Sequence, residues 1–383
     1  MRNIVKAILR FLREADMLLL ILSLTSSIFG IFMIASILRN SDGGNSELYV
    51  QIGALVFGVV LFVLFSYIDI DIIADKSWIL LIFSVLFIST LYFWGVGAEE
   101  TGNRSWLRFF GFGVQPSEIV KVTFVIIIAK MMADSKERKS LDSFLSLMRI
   151  LLVFGFIFGL IIYISADLGS AIVYIFILIM MLFIGGVRLR WFTLSAGLVA
   201  AISPLLWLNF MNDQQRNRII APFVPELLDT ETLDKIMWQA RQSVKAIASG
   251  GFLGQGYGKG YFTQRHLIPA QRTDFIFSAV GEEFGFIGCI AVILLLVLII
   301  CRCVIAGIKS NNPLGLLVCS GVSAMFIAQM LENIGMCLGV LPVIGITLPF
   351  FSSGGSSLVT CFAAMGIVSG IKMRPKPVRF RTM

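Results

Sequence analysis

Runs of apolar residues, each near the roughly 20 needed to cross a bilayer as a helix, recur from one end of the chain to the other. Short segments rich in Lys, Arg, Gly, Pro and Ser separate them. The pattern predicts ten membrane-spanning helices, near residues 17–38, 48–68, 78–97, 117–134, 145–164, 167–187, 190–210, 280–305, 314–338 and 346–370. The expected fold is an all-α polytopic membrane protein: a single integral membrane domain over residues 1–383, with one large loop, 211–273, between spans seven and eight. The first span is too long for the apolar core of a cleavable signal and lacks a small-residue cleavage site, so it is expected to be retained.

Composition supports this pattern. Hydrophobic residues make up 57% of the chain and charged ones only 14%, against about 25% charged in a soluble domain. Mean hydropathy is +0.91. The positions of Lys and Arg then set the orientation. A cytoplasmic N-terminus places the basic residues of 2–13, 76, 130–149, 188–190, 302–309 and 372–381 inside, and leaves only Arg39, Arg104 and Arg108 on short outer loops. Both termini are therefore expected in the cytoplasm, with 211–273 on the outer side of the membrane. The net charge of +8 is mostly this topology signal. A nucleic-acid partner would need basic residues clustered on one soluble face, and there is no such cluster. The basic tails suit anionic lipid head groups.

The outer loop has its own pattern. "MNDQQRNRIIAPFVP" is polar, basic and interrupted by two prolines. In "ETLDKIMWQARQSVKAIASGG", Leu233, Met237, Ala240, Val244 and Ile247 fall at helical spacing opposite a polar face, which predicts an amphipathic helix on the outer membrane surface. An ordinary helix packed on the loop's own core is the alternative. The glycines of "SGGFLGQGYGKGYF" do not form a phosphate loop, because Gly260 follows Gly258-Lys259 where Ser or Thr is needed and Leu253 stands at the first glycine position. They fit tight turns or a close backbone approach. The six cysteines lie in or beside apolar spans and read as buried free thiols; no Cys/His pattern suits zinc. His266 is the only histidine.

Several polar groups stand at span ends. In "VQPSEIVK", Pro116 suits a first helical position, and Glu118 and Lys121 share one helix face. They form either a structural ion pair or part of a site. In "SADLGSA", Asp167 is a natural N-cap, which could be its whole role. "TGNRSWLRF" offers Arg104, a fork for phosphate or carboxylate. "QRTDFIFSAVGEEFGFIG" (271–288) places Arg272, Asp274, Glu282 and Glu283 where a span begins. "LPFFSSGGSS" (348–357) is a polar break in the last span, tolerated only against protein or a water-filled cavity. All of these fall on the outer side, an arrangement suited to a lipid-linked substrate with a charged head group.

"GVQPSEIVK", "DLGSA", "IASGGFLGQG", "TDFIFSAVGEEFGFIG" and "NIGMCLGVLPVIGITLPFFSSGGSS" together resemble the SEDS family, the RodA, FtsW and SpoVE proteins of bacterial cell-wall synthesis, over essentially the whole chain. The loop wording leans towards the RodA branch of rod elongation. Three positions depart from the family pattern: Arg272 stands where His commonly precedes Thr-Asp, Ser165-Ala166 where Gln-Pro precedes Asp-Leu-Gly, and Ser353 where Tyr is common.

The resemblance implies a peptidoglycan glycan-strand polymerase that uses lipid II and works with a class B penicillin-binding protein. It carries the family's essential aspartate onto Asp274, and also points to Glu118, Lys121 and Asp167. Transfer from an α-diphosphate donor to a β-linked product inverts the sugar carbon, so one carboxylate suffices as base for the acceptor hydroxyl. Asp274 takes that role. Lys121, Arg104, Arg216, Arg218 and a divalent cation (Mg2+ or Mn2+) are candidates to stabilise the diphosphate. Glu282 and Glu283 are expected to order the cavity by pairing with basic or amide groups. The rival readings are a lipid II flippase and a non-catalytic membrane scaffold. A flippase needs polar residues through the full thickness of several spans.

Overall fold

The structure is a computed structural model describing residues 11–39, 45–97, 104–109, 112–209, 211 and 213–374. Its helices in chain order are α1 (Met17–Leu38), α2 (Asn45–Tyr67), α3 (Ile70–Asp75), α4 (Ser77–Trp94), α5 (Pro116–Glu137), α6 (Phe144–Leu160), α7 (Leu168–Gly185), α8 (Leu189–Asn209), α9 (Asp213–Ile220), α10 (Thr230–Gly250), α11 (Tyr261–Gln264), α12 (Ile276–Lys309), α13 (Pro313–Cys337) and α14 (Gly355–Met373). A two-stranded antiparallel hairpin, β1 (Leu107–Phe109) with β2 (Phe112–Val114), precedes α5. A π-helical turn, Ile161–Ser165, ends α6.

Among the described residues, nine helices are long and apolar enough to cross a membrane. They correspond to every expected span except the fourth. That span is α5, whose 22 residues reach about 33 Å at 1.5 Å per residue. Six charged residues, from Glu118 to Glu137, lower its hydropathy. α5 is nonetheless the centre of the bundle: it packs against α4, α6, α7, α13 and α14, and Val120, Phe124, Val125, Ile128, Ala129 and Met132 are buried along it. A helix covered by protein on most sides does not need to dissolve in lipid. α8 is the opposite case, with Leu194, Leu198, Val199, Ile202, Leu205 and Leu208 all exposed, as a lipid-facing helix requires.

The last span differs from its expected range, 346–370. Its helix begins only at Gly355, and residues 346–354 form an irregular buried segment. Hydropathy cannot see this, because Ile346, Leu348, Phe350 and Phe351 are as buried as any helical core. Pro349 removes a donor, and Gly345 (φ +72°) and Phe350 (φ +68°) take backbone conformations no helix accepts. Thus "LPFFSSG" (348–354) precedes the helix, and Gly355, Ser356 and Ser357 of the motif form its first turn. Protein groups satisfy its backbone, as non-helical chain at membrane depth requires. The Gln51 amide donates to the Ser352 carbonyl (3.1 Å) and accepts from the Gly354 N–H (3.1 Å). α1 approaches the segment so closely that a Cβ on Gly30 would lie 2.5 Å from the Phe351 oxygen.

A second irregularity is in α12, which breaks at Gly285 (φ 63°, ψ −159°). The glycine-rich loop fills the break with its own backbone: the N–H groups of Gln255 and Gly256 donate to the carbonyls of Glu282 (2.9 Å) and Glu283 (3.0 Å), and Phe286 N–H donates to Gly251 (2.9 Å). The close approach foreseen for these glycines is therefore to α12. A Cβ on Gly254 would sit 2.2 Å from the Glu283 oxygen. α10 also docks on α12. Its buried face is Ala240, Ser243, Ala246 and Gly250, while Val244 is exposed. The amphipathic helix is real, but its C-terminal half lies on protein. All six cysteines are free, five of them buried.

Candidate active site

The N-terminal ends of α5, α7 and α12 bring the sequence-predicted carboxylates towards one another beside the C-terminal part of α13. At the start of α5, Lys121 Nζ meets Glu118 Oε1 at 2.5 Å, and both are buried. The other Glu118 oxygen accepts from Gln329 of α13 (3.5 Å) and Ser357 of α14 (3.4 Å). The pair is thus the hub of a network, more than an isolated ion pair at a helix end.

Asp167 caps α7 as expected. It accepts from the N–H (3.0 Å) and hydroxyl (2.7 Å) of Ser170, and also from Gln115 Nε2 (2.9 Å) ahead of α5. Gly169, in the same turn, touches the irregular segment: a Cβ there would lie 3.0 Å from the Ile344 oxygen. Across that segment stands Asp274. The site of a Cβ on Gly345 is 3.3 Å from Asp274 Oδ2, so Gly345 leaves room for the carboxylate.

The Asp274 loop is fastened through its backbone. Asn333 Nδ2 donates to the Asp274 carbonyl (2.7 Å) and to that of Ile346 (2.6 Å). Ser353 N–H donates to the Arg272 carbonyl (2.8 Å), and the Ser352 hydroxyl donates to the Thr273 carbonyl. Among the described residues no cation pairs with the carboxylate itself. Asp274 lies just before α12, half-buried. Burial pushes its carboxyl up to about 6, the Thr273 hydroxyl opposing and the Asp167 carboxylate adding.

Glu282 and Glu283 have a different task. Glu282 accepts from the N–H groups of Phe262 (2.7 Å) and Thr263 (2.8 Å) and from the Thr263 hydroxyl (2.6 Å). Glu283 accepts from the Ser36 hydroxyl (2.7 Å) and Gln264 Nε2 (3.1 Å). Amides and hydroxyls partner both, tying the outer loop to α12 and α1. Arg216 bonds to Asp213 in its own loop and to the Leu208 carbonyl of α8. Arg104 and Arg218 are exposed, and the described contacts do not join any of these three arginines to the carboxylate cluster. No three Asp, Glu, His or Cys side chains among the described residues come close enough to cage a metal. The residues present thus do not fit a cation held by protein alone.

The sequence profile of the FtsW, RodA and SpoVE proteins, described as "Cell cycle protein", matches residues 16–376. This chain belongs to that family. Among its FtsW/RodA/SpoVE relatives, the peptidoglycan glycosyltransferase MrdB of Escherichia coli (strain K12) is 31% identical over 328 residues, 85% of each chain. The probable peptidoglycan glycosyltransferase FtsW of Geobacter metallireducens is 29% identical over 379 residues, 96% of this chain and 97% of its own. A chain solved in a study of polymerization and crosslinking by a peptidoglycan synthase complex superposes with TM-score 0.79 at 25% identity, covering 94% of this chain and 97% of that one. The rod shape determining protein RodA of Thermus thermophilus shares the fold, with TM-score 0.67 at 24% identity over 94% and 96% of the chains.

Two departures from the FtsW/RodA/SpoVE pattern have local consequences. Arg272 reaches Glu47 at the start of α2 (3.0 Å), an exposed pair that ties the Asp274 loop to a further helix. Ala166 sits at φ +53°, a left-handed conformation closed to proline, whose φ is fixed near −65°. The roles of Gln51, Gln115, Asn333 and Gly345 are not legible in the sequence, although Gln115, Asn333 and Gly345 lie inside the quoted family motifs.

Proposed function

We propose that this chain polymerises peptidoglycan glycan strands from lipid II by inverting glycosyl transfer, with Asp274 as general base. The observation carrying this reading is a half-buried carboxylate without a cationic partner, held through its backbone beside a buried lysine network. In the proposed step the acceptor 4-hydroxyl attacks the anomeric carbon of the donor sugar, the carbon–oxygen bond to the diphosphate breaks, and Asp274 takes the hydroxyl proton. The diphosphate leaves without needing a proton, so a second acidic carboxyl has no required place. Lys121 has three N–H donors and one bond to Glu118, so it retains capacity for a phosphate oxygen. Asp167 and Gln115 shape the wall opposite Asp274.

Polymerisation is favoured over lipid transport by the apolar middle of the bundle. Below Lys121, α5 buries Phe124, Val125, Ile128 and Met132. The buried serines of α13 there, Ser320 and Ser323, are bonded to carbonyls of their own helix. A head group crossing the membrane would find no polar path on those faces.

Relatives named FtsW and MrdB match at similar identity; the loop wording supports a role in elongation and cell shape. The superposing chain from a synthase that polymerises and crosslinks supports a class B penicillin-binding protein as partner. The test is to incubate the purified protein and that partner with lipid II in detergent, where there is no membrane to cross. Glycan polymer is expected; binding of lipid II without polymer would leave the transporter or scaffold reading instead.

A further inference from the structure

Glu332 is absent from the site as derived so far. It lies five residues before the end of α13, about 7.5 Å at 1.5 Å per residue. Its Oε2 atom is buried and has no hydrogen-bond partner among the described residues. Gln329, three residues earlier on the same helix face, has a buried Oε1 in the same condition, while its Nε2 donates to Glu118. Asn333, the next residue, braces the Asp274 loop. Two orphaned acceptors therefore lie between the Glu118–Lys121 pair and Asp274.

The nearby charges do not satisfy Glu332. Lys121 and Asp167 act on it electrostatically, but among the described residues no hydrogen bond joins Lys121 to Glu332 Oε2. Leaving a buried carboxylate oxygen unpaired is unfavourable, and native proteins seldom do so without a use. An ionisable group inside a span is a functional candidate by default. In its ionised form this oxygen takes a donor as its partner, such as a sugar hydroxyl or an amide N–H. Among the described residues no three-ligand cluster makes this a metal cage held by protein alone.

We propose that Glu332 Oε2 accepts a hydrogen bond from a hydroxyl or acetamido N–H of the lipid-linked amino sugar, fixing the sugar while Lys121 faces the diphosphate. Glu332 is thereby a substrate-binding residue on the helix that braces the Asp274 loop. This rests on the proposed reading of the site. It differs from the roles of Glu118 and Asp167, whose oxygens already have protein partners.

The test compares wild type with Glu332→Gln and Glu332→Met, full-length and in detergent, using lipid II as the probe. Melting temperature, Kd, KM and kcat are measured for each. Both variants are expected to melt at or above wild type, because an uncompensated carboxylate is gone. KM and Kd should rise about tenfold to a hundredfold, the range for a hydrogen bond to a charged group, while kcat stays within about threefold. KM and Kd within about twofold of wild type in both variants would overturn the proposal, and so would loss of the fold in both. If wild type binds lipid II but makes no glycan, the polymerase reading fails and the Kd ratio alone decides Glu332. If wild type does not bind lipid II, both fail together.

Discussion

Asn333 of α13 donates one amide to two backbone carbonyls, that of Asp274 at 2.7 Å and that of Ile346 at 2.6 Å. One fully buried side chain thus fixes the proposed base and the irregular segment that faces it. Replacing Asn333 with Ala leaves both carbonyls short of a donor, at about 1–3 kcal/mol for each unsatisfied group. Asn333→Ala should lower the melting temperature in detergent and reduce glycan synthesis more than tenfold, though it does not touch the carboxylate. Full activity with lowered stability would show that Asp274 keeps its place without the brace.

Gly345 should tolerate no side chain. Its φ of +72° costs a non-glycine residue about 1–2 kcal/mol, and a Cβ would press on Asp274 Oδ2 at 3.3 Å. Gly345→Ala is therefore expected to lower kcat with little change in lipid II affinity. An unchanged kcat would mean that the base has slack at this point.

How much of this was legible in the sequence depends on the kind of signal. Apolar run length found the bundle, because lipid-facing helices such as α8 must be apolar throughout. It erred at 346–354, where burial against protein made irregular chain look like membrane helix. Motif residues located Glu118, Lys121, Asp167 and Asp274. Their relationships were not legible, because Gln51 and Asn333 act on backbone groups 303 and 59 residues away, and Gln115 on the Asp167 carboxylate 52 residues away. The glycine loop was read as free to approach something; only the break at Gly285 shows what it approaches.

The Glu118–Lys121 pair separates two kinds of variant. Removing only the charge of Lys121, as in Lys121→Met, leaves Glu118 buried and uncompensated, a change that costs about 3–5 kcal/mol. The doubly swapped protein, Glu118→Lys with Lys121→Glu, keeps the attraction but loses the acceptor used by Gln329 and Ser357. It should melt nearer to wild type than Lys121→Met and yet make no glycan. Wild-type polymerisation in the swapped protein would return both residues to a structural role.

Orientation follows from the positive-inside bias. Reporter fusions after residue 140 and at the C-terminus should read cytoplasmic, and one near residue 230, at the start of α10, should read external. A cytoplasmic reading at 230 would place the carboxylate cluster on the wrong side for a lipid-linked wall precursor.

Asp274→Asn isolates the proposed chemistry. Asparagine keeps the shape but cannot accept a proton, and loss of a general base costs about a hundredfold to ten-thousandfold in rate. The raised pKa gives the sign of two further effects. A base works ionised, so wild-type kcat should be level above pH 7 and fall roughly tenfold per unit as pH drops below about 6; the residual rate of Asp274→Asn should not follow that limb. For stability, a carboxyl whose pKa is raised on folding contributes most below its unfolded value and loses that contribution as pH rises through about 6. Asp274→Asn should therefore be at least as stable as wild type at pH 7.5, and it should still bind lipid II, because the proposed diphosphate contact is at Lys121. Glycan synthesis near the wild-type rate in this variant would remove Asp274 from the chemistry, since a residue that merely ended a loop would be replaced by asparagine at little cost.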